Sequence, residues 1–310
     1  MNVGKMTTRA LALAAGGALA AGALAQAPAP DAKAPAKPAK AASPAKKAQP
    51  AAKAAPAPEF KLILEPRAME LLKATSAKLA AARTMSFTAV ASYEYPSRLG
   101  PPIVYTVRYD VALQRPDKLR VIVPGDGPAS EFYFDGRTMT AYAPAENLVA
   151  IADAPGTIDT VLKQAYQTAA IYYPFTDLVV ADPYSALTEG AKLAFVVGPS
   201  GHVGGVKTDM VVWANDDVFL QIWIGVDDKL PRRIRAIFRE DPMALRHEVE
   251  LSNWQLDGPV AADTFASAKA QAAPRMAFAN PAPAAPPGVK PIVKGMADKP
   301  APAKAPAKSQ

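Results

Sequence analysis

The stretch KTDMVVWANDDVFLQIWIGVDDKLPRRIRAIFREDPMALRHEVELSNW, residues 207–254, reads as consecutive strands. Four are expected: Val206–Trp213, Val218–Gly225, Arg232–Glu240 and Leu245–Gln255. In the third, Ile234, Ala236 and Phe238 alternate with Arg233, Arg235 and Arg239, the two-residue period of a half-buried antiparallel strand. In the fourth, Leu245, His247, Val249 and Leu251 alternate with Arg246, Glu248, Glu250 and Ser252. Arginines facing glutamates on neighbouring strands predict ion pairs across the solvent side. The second strand has another character. Phe219 and Trp223 fall on one face, Leu220, Ile222 and Ile224 on the other, and a strand apolar on both faces must be covered on both. Val226-Asp227-Asp228-Lys229 turns the chain, and Pro231 stands at a strand start, where no ladder donor is needed.

More strands precede this stretch. Phe87–Tyr95, Tyr105–Leu113 and Leu119–Val123 alternate with period two, and Asp135-Gly136 closes a hairpin between Glu131–Phe134 and Arg137–Ala143. Asn147–Ala152 is a further strand, and Leu193, Phe195 and Val197 open another, followed by a Gly-rich loop at Gly198–Gly205. Three segments change to helical spacing. Glu65–Thr84 starts on Pro66 and carries the stripe Met69, Leu72, Ser76, Leu79. Ile158, Val161, Leu162, Ala165 and Ala169 mark a second helix capped by Thr157. Asp177–Ala181 and Pro183–Glu189 read as two short helices. The sum is an α+β fold: about eleven antiparallel strands in one sheet that curls, with helices covering the concave side. A curled sheet lined by aromatic and branched residues encloses an apolar cleft, for which Tyr105, Tyr109, Phe195, Phe219, Trp223 and Phe238 are the candidate wall residues.

The ends of the chain differ from its middle. Residues 1–25 carry Lys5 and Arg9, an apolar run Ala10–Leu24 and the small-x-small site Ala23-Leu24-Ala25, the pattern of a signal peptide cleaved near Ala25. Residues 26–58 and 267–310 are Ala/Pro/Lys-rich, too poor in large apolar groups to offset their ordering entropy, and are expected as a disordered linker and tail. The three terminal segments hold +2, +5 and +6 of a chain whose net charge is +7, leaving −6 for residues 59–266. An acidic domain offers no nucleic-acid groove, whereas the basic tails can touch anionic surfaces. The domain is thus expected over 59–266, in the periplasm.

No constellation for catalysis emerges. There is no Cys, and the two His lie on different elements, so no zinc or iron site and no cofactor are expected. His247 falls on the apolar side of its strand and reads as a core histidine; His202 lies in the Gly-rich loop. Asp216-Asp217 and Asp227-Asp228 do not fit a calcium loop and read as turn residues.

A set of short motifs carries a resemblance. Phe134-Asp135-Gly136 with Met139 and Tyr142-Ala143-Pro144, Asp153-Ala154-Pro155-Gly156-Thr157, Asp182-Pro183-Tyr184, Leu220-Gln221-Ile222-Trp223-Ile224 and Leu230-Pro231 resemble a bacterial family of periplasmic proteins of unknown function. That family is similar to the LolA/LolB-type lipoprotein carriers. The likeness runs over about Leu64–Phe265. It implies an eleven-stranded half-open barrel with helices in its mouth and an apolar cavity that receives acyl chains. An apolar ligand or lipoprotein, or else an envelope protein, is the implied partner. The chain departs from the family at Lys207-Thr208-Asp209-Met210, where a Cys and a His often stand.

Overall fold

The computed structural model describes residues 62–279. The expected signal peptide (1–25), the whole of the expected linker (26–58) and residues 280–310 of the expected tail lie outside them. Helix α1 (Pro66–Ala81) leads, with Pro66 in its first turn. Six strands follow: β1 (Thr84–Tyr95), β2 (Ile103–Gln114), β3 (Lys118–Val123), β4 (Ser130–Phe134), β5 (Thr138–Ala143) and β6 (Leu148–Asp153). A helical segment interrupts them, with α2 (Ile158–Ala169), α3 (Thr176–Val179) and α4 (Pro183–Thr188). Then come β7 (Leu193–Ser200), β8 (Thr208–Ala214), β9 (Val218–Gly225), β10 (Pro231–Phe238) and β11 (Arg246–Leu256), and finally α5 (Ala268–Ala272) and β12 (Arg275–Met276).

All twelve strands form one unclosed sheet, in the order β12-β6-β5-β4-β3-β2-β1-β11-β10-β9-β8-β7. Every pairing is antiparallel except β12 on β6. Helices α1–α4 and both large apolar clusters sit on one side of the sheet, while α5 packs on the other face of β5 and β6. The larger cluster joins β1–β5 and β11 to α2–α4 through Phe87, Leu119, Phe134, Met139, Ile158 and Leu178. The smaller seats Ala68 and Leu72 of α1 on Ala194, Val211, Trp213 and Ile222.

The expected local devices are present. Thr157 caps α2 in a reciprocal box with Thr160, satisfying otherwise orphaned amides. Asp135 accepts from the amides of Arg137 and Thr138, and Gly136, at φ +95°, takes the left-handed position of that turn. On the solvent side Arg233 pairs with Glu248 and Glu250.

Three features differ from the sequence reading. Gly198 and Pro199 lie within β7 rather than in a loop, past a bulge at Val196/Gly198, and a proline is tolerated because β7 is an edge strand. The strand count is twelve, one more than expected. The fold also continues past 266: Ser267 caps α5, Ala270 and Ala273 pack on Tyr142 and Val149, and Arg275–Met276 adds β12 beside β6. Five residues of alanine-rich helix and two of strand carry too little pattern to be read from sequence. At the opposite edge, Leu64 bridges to Ala194 of β7.

Candidate functional site

The sheet is lined by helices along its whole concave side but filled along only part of it. Over β8–β11 there remains a cleft of about 740 Å³, within the range of small-molecule sites. Its floor is set by register. Residues directly opposite one another on paired strands share a face. One such row runs Trp213–Leu220–Ala236–His247, a second joins Val218 to Phe238, and a third joins Ile234 to Val249. All of these residues line the cleft.

The roof is the segment before α3, with α3 and α4. It contributes Tyr172, Pro174, Phe175, Asp177, Leu178 and Leu187. Its placement has identifiable causes. Arg115 donates to the carbonyl of Val179 at 2.8 Å, Asp159 accepts from the amide of Ala181, and Asp182 caps α4 through the Ser185 amide. Phe175, 1% exposed, forms the party wall with the filled region: it meets Phe87 edge-on at 5.4 Å and Tyr109 at 5.5 Å, and stacks on Tyr173.

The polar groups of the cleft are one-sided in charge. Asp177 lies in the roof, and Glu189, Asp216, Asp217 and Glu240 stand with them along the lining. Among the described residues no Lys or Arg lines the cleft. Lys192 binds Asp216 at 2.6 Å from outside the lining. Asp177 has no hydrogen bond or ion pair to its carboxylate among the described residues, and burial pushes its pKa up to about 6. Burial also raises the phenols of Tyr172 and Tyr173, and takes Tyr109 to about 12. His247 is half-buried, packs edge-on against Phe238 at 5.4 Å, and is held below the ordinary histidine range by that burial.

The six wall residues expected from sequence divide evenly. Phe238 lines the cleft. Tyr109 is on the same face and packs behind the cleft on Tyr173 and Phe175. Tyr105 continues the His247 row through Tyr93, but lies beyond the roof, 41% exposed and stacked on Tyr93. Phe195, Phe219 and Trp223 are on the outer face. Trp223 sits opposite Arg233, whose guanidinium lies 5.7 Å from the ring, and Phe219 pairs with Ile237. Phe195 is opposite Val212, while its neighbours Ala194 and Val196 turn inward toward α1. The arginine-bearing side of β10, carried across the turn to β9, was the signal that Phe219 and Trp223 face outward. Asp177 and Trp213 line the cleft without having been expected there. Among the described residues no group of His, Asp and Glu is arranged to hold a metal ion, and no helix is long and apolar enough to cross a membrane.

The architecture defines a class: an open, curled antiparallel sheet with a helical roof and a hollow beneath it. The chain belongs to the family described as Predicted periplasmic protein (DUF2092), which matches residues 68–279. No curated protein matches. Among solved structures it is similar to MucB at 15% identity, covering 66% of this chain and 64% of MucB with a TM-score of 0.39. The chain therefore spans slightly less than two thirds of MucB. It is also similar to the lipoprotein LppX of Mycobacterium tuberculosis at 13% identity, covering 64% of this chain and all of that one with a TM-score of 0.41. A LolA superfamily protein of Nitrosomonas europaea is 10% identical over 64% of this chain and 97% of its own, at a TM-score of 0.36.

Proposed function

We propose that this is an exported, non-enzymatic binding protein that carries a lipid, an acylated protein or another apolar molecule in the cleft between α3–α4 and β8–β11. The observation that carries the reading is the hollow itself. Leu178, Leu187, Leu220, Ile234 and Val249 present apolar surface to about 740 Å³ that the side chains of the described residues do not fill. An acyl chain placed there gains about 0.8 kcal/mol per buried CH₂. The amino-terminal leader supports export to the periplasm, with the Ala/Pro/Lys linker and tail as spacers. The test is to purify the full chain from the periplasm and extract it for mass spectrometry. Co-purifying lipid and saturable binding of a fluorescent alkyl probe are expected, with probe binding abolished by Ala236→Trp, which fills the floor. No extracted lipid and no probe binding overturn the reading.

A second reading, a protein-interaction module of the envelope, is favoured by the β1–β2 hairpin. Residues 103–109 of β2 pair with β1 but with no strand on their other edge among the described residues. Leu99, Ile103, Val104 and Tyr105 there are exposed. An unpaired apolar edge is a template for strand addition by a partner. Val104→Lys would abolish co-purification of such a partner while leaving probe binding intact.

A further inference from the structure

We infer that the cleft selects an amphiphile whose head group is positively charged, of the alkylammonium kind, over a fatty acid or other anionic chain. This rests on the proposed binding role and adds the ligand's chemical class to it. Three observations converge. First, among the described residues every formally charged side chain lining the cleft is a carboxylate: Asp177, Glu189, Asp216, Asp217 and Glu240. In a concave, partly apolar space their field is focused rather than dissipated, so an anionic head is opposed there. Lys192 offsets Asp216.

Second, Asp177 sits between Phe175 and Leu178 in the roof and has no protein cation or hydrogen-bond donor on its carboxylate among the described residues. Asp177 is part-buried at the cleft wall, so an ammonium head placed beside it would be the first cation in contact with its carboxylate among the described residues. Third, the apolar lining is rich in aromatic rings: Tyr172, Phe175, Trp213 and Phe238 all line the same cleft as that carboxyl. Aromatic faces attract ammonium groups and do nothing comparable for carboxylates. The titratable groups that share the cleft lining with Asp177 are Tyr172 of its own segment, Glu189 after α4, Asp216 and Asp217 of the β8–β9 turn, and His247 and Glu240 from the sheet side. Tyr109 lies behind Tyr172. Its burial holds the Asp177 carboxyl near pKa 6, so it is charged at neutral pH and loses charge on mild acidification.

The experiment is calorimetric titration of the full chain, below micelle concentrations, with three twelve-carbon probes: dodecyltrimethylammonium, dodecanoate and the neutral dodecyl maltoside. At pH 7.5 dodecyltrimethylammonium is expected to bind about tenfold or more tighter than dodecanoate, the scale of a partly desolvated cation contact. Asp177→Asn is expected to remove most of that preference, weakening dodecyltrimethylammonium by a clearly larger factor than any change it makes to dodecyl maltoside. The exposed pair Glu189→Gln with Glu240→Gln gives a second reading that does not depend on the roof packing, and should reduce the preference by a smaller factor. Lowering the pH to 5 should weaken the ammonium probe and not the maltoside. Equal affinities, a preference for dodecanoate, or a preference untouched by both variants overturns the charge selection and leaves the binding role standing. Failure of all three probes to bind overturns the binding role as well.

Discussion

One curled sheet carries two regions that differ in a single respect. Over β1–β5 the concave side is filled: Leu119, Phe134 and Met139 of the sheet are fully buried, as are Ile158 and Ala165 of α2, which joins them in one cluster. Over β8–β11 the same side is hollow, and Ile234, Ala236, Phe238 and His247 are only half-buried. The difference comes from the covering helices. α2 has twelve residues, a reciprocal cap and a continuous apolar stripe, so it lies flat on the sheet. α3 and α4 have four and six residues, and their ends are tied by Arg115, Asp159 and Asp182 rather than by an apolar stripe. A long amphipathic helix fills a concavity; two short tethered turns bridge it. Stability is thus concentrated in one region and vacant space in the other.

The sharpest way to break this comparison is to hollow out the filled side. Phe134→Ala, at a position 0% exposed, is expected to cost about 3–5 kcal/mol in denaturant unfolding. Phe238→Ala in the cleft should cost much less, about 1 kcal/mol or below, because its ring already borders space. Equal costs would mean the two regions are packed alike.

The next effect runs in the opposite direction, by adding volume. Ala165→Leu on α2, at a site with no exposed surface, should destabilise by about 1–3 kcal/mol through overpacking. Ala236→Leu in the cleft floor should leave stability within about 0.5 kcal/mol, since the added methylenes enter a cavity and not a packed core. A large loss from Ala236→Leu would argue that the hollow closes in solution.

The smallest effect concerns Asp177. Its pKa in the fold is raised to about 6, above the 3.8 of a free carboxyl. The native state therefore binds the proton more tightly than the unfolded chain between those values. Stability contributed by the neutral form is present below about pH 4 and is lost as pH rises to about 6. Asp177→Asn removes that penalty, and thermal or denaturant unfolding should show a gain of about 1 kcal/mol at pH 7.5, reduced from the full linkage value by water in the cleft, and no gain at pH 3.5. A loss at pH 7.5 would mean the carboxylate has a stabilising partner.

The sheet was legible wherever one face was charged. Arg233 and Arg235 against Ile234 and Ala236 announce both the strand and its inward side, and Glu248 and Glu250 repeat it on β11. Thr157 and Asp182 marked helix starts because capping is a local matter of one side chain and one amide. The cleft was half legible. β9 is apolar on both faces, so its own pattern cannot say which face is concave, and Trp223 and Phe219 were assigned to the inside on size alone. The pairing of Ile222 with Ile234 decides it, and that is a fact about register, not about β9. Asp177 was read only as a helix start, since its place in the cleft wall depends on how the segment around α3 folds over the sheet.

Leu64 on β7 and Arg275–Met276 on β6 mean that the first and last residues of the fold act as hems on its two outer borders. Trimming either hem leaves the concave chemistry untouched but uncovers a row of backbone donors and acceptors. A clipped molecule would therefore turn adhesive to its own kind, stitching neighbour to neighbour along the bared border, before it lost the capacity to hold a guest.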